Sequence, residues 1–306
     1  MVFNSYAKLN LYLEVLRKRK DNYHDIKTVF ERIDLSDKII LKPRPDKLIK
    51  IISKNSSVPK DNSNLCYLSA KLLQDSLHIR RGLDIKIIKR IPVGAGLGGG
   101  SSNAAVVLLG LNKLWKLNLS QSKLVKLAKR IGCDVPFFIY NTPFAQARER
   151  GDRVRPLEAL KNVRLWHILV VPKIKVSTPL IYKKWDTCPG LTQPFFTPQS
   201  CKKNKKAVLT RPGYDVKILN SALRKNDLSL LGRVLFNSLE RITTILYPEV
   251  RRIKEKLGYS GVKAILMSGS GPAVFGIVSS RKEAVSLSKQ LKAEERSWRV
   301  FVTRTV

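Results

Sequence analysis

The stretch Ile91-Pro-Val-Gly-Ala-Gly-Leu-Gly-Gly-Gly-Ser-Ser-Asn-Ala-Ala105 places five glycines within positions 94–100, followed by two serines and an apolar run. Ordering glycine costs more backbone entropy than ordering any other residue, so the bare backbone must do more here than turn the chain. Upstream, Leu83–Ile91 alternates apolar and polar residues as a strand does; downstream, Asn103–Trp115 has the composition of a largely apolar helix. A glycine loop between a strand and a helix gathers unobstructed N–H groups and a helix N-terminus around one point, an arrangement suited to phosphate.

The known phosphate loops separate on their partner residues. Gly94, Gly96 and Gly99 match the form of a dinucleotide fingerprint, but that design needs an acidic residue about 20 positions further on. No Asp or Glu occurs between Gly100 and Cys133, so a dinucleotide fold is excluded. A Walker loop needs Gly-Lys-Ser/Thr, whereas Gly100 is followed by Ser101, Ser102 and Asn103. The protein-kinase set of V-A-I-K, H-R-D and D-F-G is absent. A plain structural turn accounts for one or two glycines but not five. What remains is a lysine-free polyphosphate cradle: Pro92, Val93, Gly94, Ala95, Gly96, Leu97, Gly98, Gly99 and Gly100 supply backbone. Ser101 and Ser102 supply hydroxyls for phosphate or for a magnesium ion carried with it.

Composition sets the background. The chain has 306 residues, 43% of them hydrophobic, enough for one large domain or two. Its apolar runs are far shorter than a membrane span, and MVFNSYAKLN lacks the pattern of a secretory or transit leader; the expected location is the cytoplasm. Cys66, Cys133, Cys188 and Cys201 are widely spaced and read as free thiols, and with three scattered histidines no protein-built metal site is expected. Fifty-eight Lys+Arg against 23 Asp+Glu give a net charge of +35. The basic residues are spread along the chain rather than gathered on one stripe with aromatics, so specific nucleic-acid binding is not expected.

The pattern along the chain is that of an α+β protein with two lobes. Strands are predicted from Asn4, at Ile26–Ile33, Lys38–Leu41 and Leu83–Ile91, and helices at Asn64–Leu77, Asn103–Trp115 and Gln121–Ile131 with Ser120 as N-cap. Past about residue 155 the pattern starts afresh. Strands are predicted at Val163–Val171, Ala264–Met267, Ala273–Ile277 and Arg299–Thr303. Helices are predicted at Leu219–Arg224, Leu228–Phe236, Pro248–Leu257 and Lys282–Glu294. The expected domains are residues 1–155 and 156–306, the second interrupted by an irregular insertion near 183–212.

Three further stretches carry chemistry. In Ala7-Lys-Leu-Asn-Leu11, Lys8 and Asn10 face the same way from a strand, about 7 Å apart; read alone, Lys8 is an ordinary strand lysine. Asp134, in Gly132-Cys-Asp-Val-Pro-Phe-Phe138, is the first acid after the long acid-free segment and read alone is a cap or turn residue. Met267-Ser-Gly-Ser-Gly-Pro-Ala273 is a second glycine turn between two predicted strands.

Together with the glycine loop, these stretches resemble, in order and in register, the GHMP small-molecule kinases (galactokinase, homoserine kinase, mevalonate kinase, phosphomevalonate kinase). The resemblance implies an N-terminal lobe like ribosomal protein S5 domain 2, a C-terminal ferredoxin-like lobe, and an active site between them. It also implies ATP as phosphoryl donor with Mg2+, an ATP-phosphate loop at 92–102, and Lys8 and Asp134 as the catalytic pair. The Gly98-Gly-Gly-Ser-Ser-Asn-Ala-Ala105 string is most similar to the branch that phosphorylates the 2-hydroxyl of 4-diphosphocytidyl-2-C-methyl-D-erythritol in isoprenoid precursor synthesis. By that likeness Asn64 lies on the adenine side. Asn10, Tyr23, His24, Thr178 and Tyr182 bind the acceptor, with Tyr23 and Tyr182 stacking on cytosine and His24 bonding to it. Asn22 stands where glycine is usual and tolerates positive φ. Arg150-Gly151-Asp152 and Asn237-Ser238-Leu239-Glu240 stand where Arg-Gly-Glu and Asn-Asp-Leu-Glu are common. Other GHMP substrates (homoserine, mevalonate, a sugar) remain open at this point, as does a monomer or a homodimer, and a basic nucleic-acid-binding module is a remote alternative.

Overall fold

The alternation that begins at Asn4 produces the longest strand pairing in the molecule. In the computed structural model, which describes residues 1–187 and 216–306, β1 (Val2–Lys18) runs antiparallel to β2 (His24–Arg44). The two strands predicted at Ile26–Ile33 and Lys38–Leu41 are one strand, because β2 changes partner on its far edge without leaving β1. Its first half pairs with β5 (Phe144–Arg148) and its second half with β4 (Gly82–Ile88).

The chain continues through β3 (Ile49–Ile52), α1 (Leu65–Ser76), β4 (Gly82–Ile88), α2 (Gly99–Leu114), α3 (Gln121–Ile131), α4 (Val135–Ile139), β5 (Phe144–Arg148) and β6 (Arg153–Pro156). Asn64 and Ser120 cap α1 and α3 through their side-chain oxygens. The boundary expected at 155 falls inside β6. Next come β7 (Trp166–Val171), α5 (Thr178–Thr187), α6 (Val216–Lys225), α7 (Leu228–Val234), β8 (Phe236–Asn237), α8 (Glu240–Leu246), α9 (Pro248–Tyr259), β9 (Ala264–Met267), β10 (Val274–Val278), α10 (Arg281–Glu294) and β11 (Arg299–Arg304). The insertion expected near 183–212 begins later than its composition implied, since 183–187 belong to α5. Residues 188–212 of it, with Cys188 and Cys201, lie outside the described residues.

Two sheets result. A seven-stranded sheet has the order β3-β4-β2-β1-β8 with β5 and β6 beyond β2, and a four-stranded antiparallel sheet has the order β11-β7-β10-β9. This is the two-lobed α+β architecture expected. Helices α1, α2 and α3 cover the first sheet over a core that includes Leu41, Leu73, Ile85, Leu108 and Leu111; α9 and α10 cover the second over Val170, Ile253, Val274 and Leu291.

The lobes are not independent, because a third core runs between the sheets. Ala7, Leu9 and Leu11 of β1 share it with Leu169 and Phe275 of β7 and β10, and all five are fully buried. A buried leucine contributes about 1.5–3 kcal/mol, so this packing outweighs the two-residue pairing of β8 with β1 as the link between lobes. Thr305 adds a strand bridge to Ile33. Among the described residues, no helix is long and apolar enough to cross a membrane.

Candidate active site

β1 is buried on both faces from Ala7 to Leu13. One face feeds the inter-lobe core, which turns Lys8 and Asn10 the other way, into the cleft. Lys8 Nζ donates to Asn10 Oδ1 at 2.5 Å, lies 3.7 Å from Asp134 Oδ2 and sits 5.5 Å over the Phe30 ring. Burial lowers the pKa of the Lys8 ammonium below its ordinary value, and the Asp134 carboxylate offsets part of that shift. Asp134 is held by the turn between α3 and α4, its side chain one-third exposed. The catalytic pair expected from sequence is therefore assembled across 126 residues of chain, with a desolvated cation beside an accessible carboxylate.

The glycine loop meets this pair from the other side. Gly96 and Gly98 have φ of +75° and +66°, in the left-handed region that favours glycine. A Cβ on Gly96 would lie 2.1 Å from the Ser268 carbonyl oxygen, and one on Gly98 would lie 2.9 Å from Cγ of Lys8. The glycines here serve approach as well as conformation: they let the two glycine loops and the lysine stem converge. Ser268 fastens the junction, its hydroxyl donating to the Gly96 carbonyl at 3.0 Å and accepting from the Asn10 N–H at 3.3 Å.

Two cavities open on either side of this junction. The larger, about 530 Å³, is lined by Lys8, Asn10, Tyr23, His24, Asp134, Arg150, Thr178 and Tyr182. The smaller, about 320 Å³, is lined by Asn64 and by every residue from Pro92 to Ser101. Gly96, Gly98 and Ser101 line both. The N-cap of α2 is Gly98, with no side-chain cap, so the first N–H groups of the helix are left for whatever occupies the smaller cavity.

Each sequence-expected residue has its place, with one exception. Ser102 is buried and lines neither cavity; its hydroxyl oxygen lies 2.7 Å from that of Ser5, which also reaches Asn103 Oδ1 at 2.7 Å. Of the serine pair, Ser101 faces the cavities and Ser102 braces α2 against β1, because adjacent helix positions point about 100° apart. Asn64 spends its side chain on local structure, accepting from the Cys66 N–H at 2.8 Å and donating to the Pro59 carbonyl at 2.6 Å. Asn22 adopts φ +64°, as its position requires. Thr178 is within 2.6 Å of the Ser270 hydroxyl.

Lys89 escaped the sequence reading, while residues 150–152 and 237–240 were marked there only as motif matches without a role. Lys89 lines the smaller cavity and pairs with the buried Asp37 carboxylate at 2.5 Å, which also accepts from the Arg90 and Ile91 N–H groups. Asn237 Nδ2 donates to the Met267 and Gly269 carbonyls at 2.8 Å each, and Glu240 Oε2 accepts from the Met267 N–H at 3.0 Å, so the second glycine loop is clamped from below. Arg150 stacks 5.3 Å over the Tyr23 ring and is anchored on Asp152. Cys66 and Cys133 are free, and burial pushes their thiols up to about 12 and about 11, which removes them as nucleophiles. Nothing local marked Lys89, and the part that Asn237 plays in the second glycine loop is set by residues 30 and 32 positions away.

The chain is also similar to known proteins. The model of the GHMP kinases N terminal domain matches residues 64–142 and that of the GHMP kinases C terminal matches 219–296. A 4-diphosphocytidyl-2-C-methyl-D-erythritol kinase of Geobacillus sp. is 44% identical over 89% of this chain and 86% of its own length. A crystal structure of 4-(cytidine 5'-diphospho)-2C-methyl-D-erythritol kinase superposes with a TM-score of 0.77 at 30% identity, each chain fully covered. A homoserine kinase from Cytophaga hutchinsonii, at TM-score 0.70 and 20% identity over all of this chain and 94% of its own, shares the fold. The chain belongs to the GHMP kinase family, and within it to the group of 4-diphosphocytidyl-2-C-methyl-D-erythritol kinases.

Proposed function

We propose that this chain transfers the γ-phosphoryl group of ATP to the 2-hydroxyl of 4-diphosphocytidyl-2-C-methyl-D-erythritol. The observation that carries the reading is the meeting of two cavities at Gly96, Gly98 and Ser101, beside Lys8 and Asp134. The smaller cavity presents backbone N–H groups, one hydroxyl and a helix N-terminus, a donor set suited to phosphate oxygens. The larger has the volume of a small-molecule site and the aromatic and imidazole lining that a pyrimidine needs.

The Asp134 carboxylate accepts the proton of the acceptor hydroxyl as its oxygen bonds to the γ-phosphorus and the bond to the β-phosphate oxygen breaks, releasing ADP. Lys8 stabilises the charge gathered between them, and its burial, which weakens its hold on its own proton, strengthens that electrostatic effect. Among the described residues, no cluster of three His, Cys, Asp or Glu can hold a metal ion. A magnesium ion bound with ATP would be held mainly by phosphate oxygens, with Ser101 the nearby protein hydroxyl, and would neutralise developing charge. Asn237 and Glu240 keep the second glycine loop against the first.

A coupled ADP-release assay comparing the cytidyl acceptor with homoserine, mevalonate and galactose tests the reading. Turnover is expected with the cytidyl acceptor; turnover only with one of the others would overturn the substrate and leave the kinase class standing.

A further inference from the structure

At the far end of the larger cavity the His24 side chain, 4% exposed, is held on several sides. Tyr182 lies against its face with ring centroids 4.9 Å apart, and Trp185 meets it edge-on at 5.7 Å. Its Nε2 lies 2.6 Å from Oδ1 of Asp186, on the last turn of α5, and the other oxygen of that carboxylate accepts from Lys18 Nζ at 2.8 Å. Partial burial acts to raise the Asp186 pKa, but the hydrogen bonds from Lys18 and His24 outweigh it and hold the carboxyl below its ordinary value. An ionised carboxylate only accepts. The proton between the two residues therefore belongs to His24 Nε2, and in the neutral ring Nδ1 is left as an acceptor. Among the described residues, Nδ1 has no hydrogen-bond partner.

Resting on the cytidyl reading above, we infer that Asp186 is a positioning residue: braced by Lys18, it fixes the His24 tautomer so that Nδ1 accepts from an exocyclic amine. The acceptor chamber thereby selects cytosine, which carries an amine at that edge, over uracil, which carries a carbonyl there. Two acceptors facing each other exclude the wrong base by leaving both unpaired.

The experiment is Asp186→Asn, assayed with the cytidyl acceptor and its uridyl counterpart. Lys18 can only donate, so the amide oxygen turns to Lys18 and the amide N–H₂ faces Nε2, which moves the ring proton to Nδ1. KM for the cytidyl acceptor should rise about tenfold or more, with kcat and the KM for ATP within about twofold, while the uridyl acceptor improves. In a His24→Ala background the same substitution should add nothing. Equal effects on both acceptors, or an undiminished effect without His24, would overturn the inference. If Asp186→Asn does not fold, Asp186→Ala replaces it, with the cytidyl-over-uridyl preference expected to collapse; an unchanged preference overturns the inference. Wild-type protein that binds cytidine diphosphate no better than uridine diphosphate in calorimetry would sink the base reading itself, and this inference with it. A wild type that prefers cytidine beside an indifferent Asp186→Asn would sink the role of Asp186 alone.

Discussion

Two acid–base clusters built on the same β1–β2 ribbon differ in what adjoins them. Lys8 and Asp134 face a cavity, with the carboxylate one-third exposed. Glu31 and His167 are both wholly buried between the lobes: Glu31 accepts from Thr305 Oγ1 at 2.6 Å and meets His167 Nε2 at 3.1 Å, and Thr305 Oγ1 accepts from the Leu165 N–H at 2.8 Å. Both clusters place at least one ionisable side chain where water is scarce. Only the first leaves a place for a reacting atom, and only the second joins β2, β7 and the C-terminal segment. Burial of a charged group thus marks chemistry when a cavity adjoins it and assembly when none does.

The sharpest way to break the comparison is at Asp134. Asp134→Asn should cut kcat by about 10²–10⁴-fold while ATP binding and the unfolding midpoint barely move. Retained turnover in ADP release would remove Asp134 from the mechanism. The reverse pattern is expected from Glu31→Ala, which strands His167 and Thr305 in a dry interface. Urea unfolding should show a loss of about 3–5 kcal/mol, with kcat near wild type at low temperature; a stable variant would mean that the cluster does not join the lobes.

Asn237→Ala lies between the two patterns, since it removes the donors that satisfy two loop carbonyls. It should cost about 1–3 kcal/mol of stability and also raise the KM for ATP by loosening the second glycine loop. Calorimetry of ATP binding beside thermal melts would separate those effects, and a pure stability loss would exclude the loop from nucleotide binding. The smallest effect is the pH response of Lys8. Because its pKa is depressed in the folded chain, its ammonium is lost at a pH below the ordinary lysine value of 10.5. Turnover should fall there, while this residue's contribution to stability rises with pH through the same window, since the unfolded chain binds the proton more tightly. Lys8→Met should abolish that contribution.

Local signals were enough for much of this. The β1 alternation, the helices from Asn64, Asn103 and Gln121, and the strand–loop–helix around Gly94–Gly100 are written in near-neighbour periodicity, and the structure has them within a few residues. Most missed elements are short: α4 is a five-residue helix opened by Val135-Pro136, β3, α8 and β8 span four, seven and two residues, and β5 and β6 depend on β2 taking a second partner. The ten-residue α5 was missed because its last half reads as irregular insertion.

The chain's own order of residues determined the class of chemistry. The glycine loop without a lysine is readable in place, because it depends on residue type and nearest spacing. Lys8 and Asp134, taken singly an ordinary strand lysine and a cap residue, gained their roles only from the likeness of their motifs to the GHMP kinases. The tertiary structure decided which of those side chains face the cavities: it turned Ser102 inward to Ser5 and Ser101 outward, and it brought Lys89 to Asp37 across 52 residues. It also brought His24 to Asp186 across 162. Such pairings depend on where distant strands and helices pack, and periodicity of one segment holds no record of its partner.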